Sequence, residues 1–515
     1  MDKRKIVVYH NKVVINDYQS GDAPSIEGLF DVYDKGTHMY KTIGALYNRQ
    51  DMTLTLPRNM NIQMLESVLG VYAFYDKGYI KPKKNNNDIL IKYPPKNEKQ
   101  ALALMFLTGK GEYAFTKQHD QLFLALNTGA GKTYLGLVYT ALLNVKTFII
   151  TSNTGWLEQW KSAILEHTNM VSKDIRLISG IDIPKIIDSP QNFENVKVWM
   201  MTHASFASFA NQYGYSAIDL FFRKLGIGLK IIDEAHLNFE STYMLDYAAP
   251  VYNTLYLTAT PSRGNDAENR VYQEYFRNVP MLDLFDTEND PHTHYIALLY
   301  KSNMNAYEVA AMHTIHGFNK TYYADLLCTK PNFDYICRIV MDMVSNIQGK
   351  KIFFFATNNA VVFFYNWLLY NYQEYSGDIG IYTSINPDKE LAKDCTIILT
   401  TSKSAGACLD IKDLMVCVNM AEPTKSPPQN QQRFGRTRAY NSFYIDLVDT
   451  SVKTIAGYYK QSLPMYDKYA LDTKEVRFTN VQLKNTAFNV MTKRWKQYGV
   501  EPFSRIDGNG NTVYW

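Results

Sequence analysis

Near the N-terminus, apolar and polar residues alternate in short runs, which is typical of half-buried β-strands. Strand patterns at 5–9 and 12–15 flank a hairpin-type turn, and a third strand pattern at 53–56 precedes a helical pattern at 62–69. The next segment, Lys81–Asn87, is polar and rich in residues that interrupt regular structure. We therefore predict a small α+β accessory unit over residues 1–80 and a linker over residues 81–89.

Beyond residue 90, short apolar runs alternate with helical patterns, which predicts an α/β fold with parallel sheets covered by helices. The alternation occurs over 90–285 and again over 346–450, with a mixed connecting region at 286–345 and a helical extension at 451–515. The predicted strands are Leu122–Leu126, Thr147–Ile150, Val196–Met201, Leu229–Asp233 and Thr254–Leu257, then Lys351–Phe355, Ile379–Tyr382, Thr396–Leu399, Leu414–Asn419 and Phe443–Val448.

A glycine-rich turn follows the first of these strands. The segment Leu126-Asn-Thr-Gly-Ala-Gly-Lys-Thr133 joins the strand to a helical pattern, which is the context that a phosphate-binding loop requires. Backbone N–H groups from Gly129 to Lys132 can surround phosphates, Lys132 can neutralise their charge, and the Thr133 hydroxyl can bind Mg²⁺. Leu126 stands where the loop pattern has glycine, but Gly129 and Gly131 remain where the backbone comes closest to the phosphates.

A second motif, Asp233-Glu-Ala-His236, ends another predicted buried strand. Its two adjacent carboxylates are expected at the carboxyl edge of a parallel sheet, where α/β proteins bind ligands. In a nucleotide-hydrolysing site Asp233 can hold Mg²⁺ and Glu234 can orient the attacking water. Together, in this order, the two motifs predict an NTPase.

Composition narrows the choice of protein class. With 515 residues, 46% hydrophobic and 20% charged, the chain is an ordinary globular protein of several domains. A net charge of +4 is small, so any nucleic-acid-binding surface must be local. The five cysteines lack paired spacing, which argues against a disulfide framework or a zinc site. No apolar run approaches the ~18 residues of a membrane span, and we expect a soluble, intracellular protein.

Three further motifs follow at predicted strand ends. They are Leu257-Thr-Ala-Thr-Pro-Ser-Arg263, Thr400-Thr-Ser-Lys-Ser-Ala-Gly-Ala-Cys-Leu-Asp410 and Gln432-Arg-Phe-Gly-Arg436. Together with the phosphate loop and the DEAH segment, they resemble the motif series of superfamily 2 helicases. The resemblance implies two tandem RecA-like domains, ATP and Mg²⁺ between them, and nucleic acid as the partner across both.

The same resemblance implies roles for single residues. ATP binding is expected at Gln100, Thr128, Gly129, Ala130, Gly131, Lys132, Thr133 and Asp410, metal binding at Thr133 and Asp233, catalysis at Glu234, and coupling at His236, Thr258, Thr260 and Gln432. Nucleic-acid contacts are expected at Ser152, Asn153, Thr202, His203, Thr357, Asn358, Thr400 and Thr401. Serine, threonine and asparagine also cap helices, and an exposed helix glutamine is an alternative for Gln100, so both interpretations stay open.

Arginines that stabilise transferred phosphate follow Q-x-x-G-R-x-x-R in this family. Arg436 fits the first, but position 439 is Ala439, so Arg438 is expected to supply the second positive charge, with Arg433 as another candidate. An arginine that reaches ATP only on domain closure would couple hydrolysis to movement along a strand. A basic surface turn is the alternative interpretation of this segment.

Within the superfamily, Ala405-Gly-Ala-Cys-Leu-Asp-Ile411 resembles a stretch found in viral and phage helicases. Similarity to the T-even phage UvsW type implies duplex or branched DNA and the cytoplasm of a bacterial host. The poxvirus transcript-release type would imply an RNA-directed or transcript-releasing ATPase in the cytoplasm or nucleus of a eukaryotic host. Further alternatives are a non-catalytic packaging or interaction component and the motor subunit of a restriction system. The oligomeric state stays open, with a monomer favoured.

The leading unit carries basic and aromatic residues that suit single strands or junctions, namely Tyr40, Lys41, Tyr47, Arg49 and Arg58. A solvated sheet face is the alternative. Every ATPase motif lies beyond the predicted linker, so we expect the motor to fold without residues 1–80. The leading unit would then select the nucleic-acid structure.

Overall fold

The structure is a computed structural model. It describes residues 5–34, 38–76, 78–126, 129–259, 261–263, 266–284, 292–314, 317–386, 388–405, 411, 413–425, 427–437, 439–478, 504–506 and 512–514. The chain divides into two compact units, Met1–Thr287 and Glu288–Trp515. Among the helices that the structure describes, none is long and apolar enough to cross a membrane.

The first unit begins with a five-stranded sheet of order β5-β6-β2-β1-β7. Tyr9 N donates to Lys12 O at 2.8 Å and closes the predicted hairpin between the first two strands. The elements are β1 Lys5–Val8, β2 Lys12–Asn16, α1 Pro24–Phe30, β3 Asp31–Asp34, β4 Met39–Thr42, β5 Leu46–Asn48, β6 Thr53–Pro57, α2 Ile62–Leu69 and β7 Ala73–Tyr75.

A seven-stranded parallel sheet follows in the same unit, in the order β10-β11-β9-β12-β13-β8-β14. Its elements are α3 Glu98–Thr108, β8 Gln121–Ala125, α4 Lys132–Leu143, β9 Thr147–Thr151, α5 Thr154–His167, β10 Ile175–Leu177, α6 Asp182–Asp188, β11 Val198–Thr202, α7 His203–Tyr213, α8 Tyr215–Leu225, β12 Leu229–Ile232, α9 Phe239–Ala248, β13 Asn253–Thr258, α10 Asp266–Phe276 and β14 Met281–Asp283, with 3-10 turns at Gly111–Gln118, Ser172–Asp174 and Pro190–Phe193. Its central strands are buried along their whole length, as continuous apolar runs require when helices cover both faces.

The leading sheet and the first parallel sheet share one hydrophobic core. Phe30, at the end of α1, belongs to the same buried cluster as Phe239 and Val271. A side chain on Gly44 would place its Cβ 3.3 Å from Val271 Cγ1, so the backbone of the leading unit lies directly against α10. The leading unit is therefore packed as part of the first domain.

Buried hydrogen bonds reinforce this contact. Asn11 Nδ2 donates to Asp246 O at 2.7 Å and to Tyr247 O at 2.9 Å, and the Tyr247 hydroxyl donates to Gly44 O at 2.5 Å. Arg58, one of the expected nucleic-acid residues, forms an ion pair with Asp120 at 2.5 Å. That guanidinium is thus engaged in holding the leading unit to the parallel sheet.

The segment expected to be a linker is also bound to the domain. Lys83 N donates to Gly226 O at 2.9 Å, and Asn85 N donates to Asn144 O at 3.0 Å. Two side chains add to these backbone contacts, since Lys84 Nζ donates to Leu143 O at 2.6 Å and Asn85 Nδ2 donates to Asn144 Oδ1 at 3.3 Å. An attached segment therefore has the polar composition that suggested a linker. A motor that folds without residues 1–80 is not consistent with the shared core.

We expect Asn11→Ala to destabilise the protein by about 1–3 kcal/mol, because it leaves the buried carbonyls of Asp246 and Tyr247 without this donor. Chemical denaturation monitored by circular dichroism measures the change. Asn87→Ala is the matched control, because Asn87 is exposed. Equal unfolding midpoints for the two variants would contradict the role of the leading unit in the fold.

The second unit contains another seven-stranded parallel sheet, of order β19-β20-β18-β21-β22-β15-β23. Its elements are β15 Thr293–Tyr300, α11 Ala306–Ala311, β16 His313–Thr314, β17 Gly317–Phe318, α12 Lys320–Leu327, α13 Pro331–Val344, β18 Lys350–Phe355, α14 Asn358–Asn371, β19 Ile379–Tyr382, α15 Lys389–Asp394, β20 Ile397–Thr401, α16 Ser402–Ala405, β21 Leu414–Ala421, α17 Pro427–Phe434, β22 Ser442–Asp449, α18 Lys453–Tyr469, β23 Asp472–Arg477, β24 Ser504–Ile506 and β25 Thr512–Tyr514, with a 3-10 turn at Gln373–Tyr375. The two parallel sheets confirm the predicted tandem RecA-like α/β architecture.

Two strands of this sheet lie where helical segments were expected. β15, in the expected connecting region, pairs in parallel with β22, and β23, in the expected helical extension, pairs with β15. Both pairings join residues far apart in the sequence. The second sheet therefore recruits its last strands from segments that flank the apolar series.

Candidate nucleotide-binding and catalytic site

The candidate phosphate loop turns sharply between β8 and α4. Leu126 N donates to Thr258 O at 3.0 Å, which anchors the end of the strand. Gly129 and Gly131 adopt left-handed backbone angles, with φ of 83° and 95°. These angles suit glycine, and α4 then begins at Lys132 with its N-terminus directed to the loop. Ala130 and Thr133 are half-buried beside them, whereas Thr128 lies outside the described residues.

Gln100 holds this loop. Its Nε2 donates to Ala130 O at 3.0 Å, and its Oε1 accepts from Lys96 N at 2.9 Å. A Cβ on Gly131 would lie only 2.4 Å from Gln100 Nε2, so the small residue is needed for this contact as well. The side chain is buried rather than exposed, and its amide supports the loop backbone.

The two motifs meet at the carboxyl edge of the sheet. Lys132 Nζ lies 3.2 Å from Glu234 Oε1 and 3.3 Å from Leu126 O. Glu234 itself has a left-handed φ of 48°, which a non-glycine residue adopts rarely. Such local strain at a buried carboxylate is typical of a functional site.

The two carboxylates differ in their electrostatics. Burial and the negative charge of Glu234 raise the pKa of Asp233. Burial is the largest single effect on Glu234 too and opposes its ionisation, but the Lys132 ammonium, His236 and the hydrogen bond from Ala259 N together outweigh it and lower the pKa of Glu234. Glu234 is thereby favoured in its ionised form, in which it can accept hydrogen bonds. For Asp233 the attraction of Lys132 is too weak to offset burial and the charge of Glu234.

Mg²⁺ fits this donor set. The Thr133 hydroxyl and the Asp233 carboxylate are oxygen ligands of the kind that Mg²⁺ takes together with waters and substrate phosphates. A divalent cation would also offset the raised pKa of Asp233. Among the residues that the structure describes, no cluster of three or more histidine, cysteine or acidic side chains offers an all-protein metal site.

Trp160 positions Asp233, a role that the expectations from sequence did not include. Its Nε1 donates to Asp233 Oδ2 at 2.8 Å, and both side chains are buried. A Cβ on Gly136 would lie 2.7 Å from Trp160 Cη2, so this glycine of α4 makes room for the indole. The only sequence signal was the placement of Trp160 one helical turn after Trp156.

We expect Trp160→Phe to raise the Mg²⁺ concentration needed for ATP turnover by about 10–100-fold, as loss of an outer hydrogen bond to a metal ligand commonly does. A Mg²⁺ titration of the ATPase rate measures it. Trp199→Phe is the matched control, because Trp199 is equally buried and its Nε1 has no hydrogen-bond partner. Indistinguishable titrations for the two variants would remove Trp160 from the site.

Thr258 and Ala259, from the Thr-Ala-Thr segment, contact the second motif. Ala259 N donates to Glu234 Oε2 at 2.9 Å, and the Thr258 hydroxyl lies 2.7 Å from His236 Nδ1. Burial lowers the pKa of His236 to about 4, so the imidazole is neutral near pH 7. Arg263, which was not assigned a role from the sequence, donates to His236 O at 2.5 Å. Thr260 lies outside the described residues.

In the second unit, Arg436 lies in the turn that follows α17 and is half-buried. Arg433 is almost fully buried and bound to Glu422, with Nη2 3.2 Å from Oε1. In this structure its guanidinium is therefore engaged within the second unit. Gln432 lies within α17, but its side chain is not among those that the structure describes. Asp410 and Arg438 lie outside the described residues.

Several expected nucleic-acid residues of the first unit are occupied as helix caps. Asn153 caps α5 by accepting from Trp156 N at 3.1 Å, and Thr202 caps α7 by accepting from Ser205 N at 3.1 Å. Ser152 Oγ accepts from Asn238 Nδ2 at 2.6 Å. His203 is buried, with Nδ1 2.8 Å from Ser241 Oγ, and burial lowers its pKa to about 3.

The second unit repeats this pattern. Thr357 caps α14 by accepting from Ala360 N at 3.1 Å, Asn358 is the first residue of that helix, and Thr401 accepts from Ser404 N at 3.3 Å. Thr400 is fully buried in β20 and donates to Tyr382 O at 2.6 Å. The hydroxyl of Thr400 is therefore engaged in a hydrogen bond within the sheet.

One known family model matches part of this chain. Residues 60–263 match the family described as "Type III restriction enzyme, res subunit", a stretch that includes both the candidate phosphate loop and Glu234. No curated protein matches the sequence. The match spans the last part of the leading unit and six of the seven strands of the first parallel sheet.

Three solved structures match this chain at low sequence identity. T4 UvsW is 13% identical, with a TM-score of 0.35, over 92% of this chain and 99% of that chain. A fragment of a putative HsdR subunit of a type I restriction enzyme from Vibrio vulnificus YJ016 is 15% identical, with a TM-score of 0.49, over 89% and 82%. Mss116p bound to ssRNA and AMP-PNP is 14% identical, with a TM-score of 0.47, over 81% and 89%.

Proposed function

We propose that this protein is an ATP-dependent helicase or translocase of superfamily 2 that acts on duplex or branched DNA. The observation that carries the proposal is the contact of Lys132 with Glu234 at 3.2 Å, beside the left-handed glycines of the loop. A largely buried lysine at the start of α4, beside two largely buried carboxylates that follow β12, suits phosphate and Mg²⁺ binding followed by attack of a water.

In this mechanism each side chain has a separate task. With ATP bound, Lys132 would exchange Glu234 for the phosphates and neutralise their charge. Thr133 and Asp233 would hold Mg²⁺, which would supply further positive charge there. Glu234 then orients the attacking water. Its Oε2 is fixed by Ala259 N at 2.9 Å, so the carboxylate is positioned before the reaction.

The contact from Ala259 also offers a route for coupling. The Thr-Ala-Thr segment holds Glu234 through Ala259 and His236 through Thr258. Any displacement of this segment changes the orientation of the catalytic carboxylate. We propose that closure of the two domains on ATP adds Arg436 to the phosphates and resets this segment, which links turnover to movement along nucleic acid.

The preference for DNA rests on the sequence resemblance to UvsW-type helicases. The predicted contacts do not decide between DNA and RNA, because contacts to the phosphate backbone are possible with both. ATPase rates with single-stranded DNA, forked DNA and RNA at equal nucleotide concentration test it. We expect forked DNA to stimulate turnover most. Stimulation by RNA alone would favour the transcript-release alternative, and absence of turnover with every nucleic acid would refute the ATPase. Glu234→Gln in parallel reports contaminating activity.

A further inference from the structure

A buried ion cluster in the second unit joins three elements that carry candidate functional residues. At its centre is Glu422, which directly follows β21 and is 3% exposed. Its Oε1 lies 2.8 Å from Lys320 Nζ and 3.2 Å from Arg433 Nη2, and its Oε2 accepts from Ser402 N at 3.3 Å. Both carboxylate oxygens are therefore occupied, and each binds a different part of the fold.

The Ser402 contact connects the cluster to a candidate nucleic-acid loop. Ser402 follows Thr401 at the point where β20 gives way to α16. Its N–H is held by the carboxylate of Glu422 rather than by a backbone carbonyl in this contact. The position of this loop is thus tied to the position of Glu422.

The Arg433 contact connects the cluster to the candidate catalytic arginine. Arg433 Nη1 donates to Glu422 O at 2.9 Å, in addition to the ion pair, so the guanidinium is held at two points. Arg436 N in turn donates to Arg433 O at 3.1 Å. A shift of Glu422 is therefore passed to the turn that carries Arg436.

The third element, α12, reaches a second candidate nucleic-acid loop. Lys320 is its first residue, and Asp325 on the same helix accepts from the Thr357 hydroxyl at 2.6 Å. Thr357 caps α14 after β18. One short helix is thus bonded to both strand-end loops, directly to the one at Thr357 and through Glu422 to the one at Ser402.

Removing a single member of this ion cluster is expected to cost free energy. Burial opposes ionisation of Glu422, but Arg433 and Lys320 outweigh it and lower its pKa. Removing one partner of a buried ion pair leaves an uncompensated charge, whereas moving the partners together does not. The Ser402, Arg433 and Lys320 contacts are therefore expected to move as a group.

We propose that Glu422 is a positioning residue that transmits nucleic-acid binding at the Thr401-Ser402 loop to Arg436, with α12 adding the Thr357 loop to the same linkage. This inference rests on the proposed function. Neither sheet topology nor the candidate ATP site requires a buried carboxylate at this place. The juxtaposition of a loop amide, an α17 arginine and an α12 lysine on one side chain supports the assignment.

The test is the stimulation ratio, meaning kcat for ATP at saturating forked DNA divided by kcat without it. In Glu422→Gln we expect this ratio to fall on the order of tenfold, within the range of typical coupling between sites. KM for ATP and Kd for DNA should change little. Glu308→Gln is the matched control, since Glu308 forms an ion pair with Lys330 at 2.5 Å elsewhere in the same unit.

A second variant covers loss of folding in Glu422→Gln. Lys320→Gln keeps the Glu422–Arg433 ion pair and removes the ion pair between α12 and Glu422. We expect the stimulation ratio of this variant to fall by a smaller factor. Equal losses of basal and stimulated turnover, with the ratio preserved in the folded variant, would show a merely structural role and overturn the inference. Wild-type protein that no nucleic acid stimulates would instead overturn the proposed function.

Discussion

Glu234→Gln is expected to bind ATP and to hydrolyse it about 10²–10⁴-fold more slowly than the wild type, which is the contribution of a positioned acid–base group. The substitution keeps the shape and the contact with Ala259 but removes the negative charge that orients water. Equilibrium binding of ATP and steady-state turnover measure the two effects separately. Glu158→Gln, at an exposed site on α5, is the control for loss of a surface charge.

Lys132→Ala should also abolish turnover, but through binding. It removes the cation at the phosphates and the charge that lowers the pKa of Glu234, so that carboxylate becomes harder to ionise. ATP affinity should fall in this variant and be retained in Glu234→Gln. Turnover above about a tenth of wild type in either variant would contradict these assignments, given the expected losses.

Local sequence patterns predicted where the two candidate motifs of the first unit lie in the fold. Strand, glycine turn and helix are contiguous, so the placement of Lys132 at the start of α4 follows from the sequence alone. Asp233 and Glu234 follow a buried strand for the same reason. Parallel strands end at one edge of the sheet, which brings the two motifs together.

Contacts between distant segments were beyond such patterns. Trp160 bonds to Asp233 across 73 residues, and Glu422 bonds to Lys320 across 102. Nothing in the local sequence of either residue marks its partner. The polar segment after residue 80 was misleading for a related reason, since backbone groups such as Lys83 N hold it to the domain.

The expected helix caps show where both interpretations of one residue can hold. Thr202 and Thr357 cap helices at the carboxyl ends of strands, which fixes the loops at which we predicted contacts with nucleic-acid phosphates. Capping does not exclude a ligand, because backbone N–H groups at a helix start also bind phosphate. Sequence could identify these positions but could not choose between the two uses.

Arg436→Ala is expected to reduce turnover by roughly 10³–10⁵-fold, the usual contribution of an arginine that stabilises a transferred phosphate. ATP affinity and the melting temperature should change little, because the expected contribution is made in the transition state. Single-turnover hydrolysis with ATP in excess of Kd measures the chemical step. Arg438→Ala is expected to show a smaller loss in the same assay.

Comparing Arg433→Ala with Arg436→Ala tests which arginine of this motif acts in catalysis. It leaves the buried Glu422 carboxylate with Lys320 as its remaining cation, and breaking a buried pair in this way costs about 3–5 kcal/mol. We therefore expect a large fall in stability for Arg433→Ala and a fall in rate at nearly unchanged stability for Arg436→Ala. A stable but inactive Arg433→Ala, beside an Arg436→Ala that turns over normally, would exchange the two roles. The guanidinium buried against Glu422 would then have to leave its ion pair during each catalytic cycle.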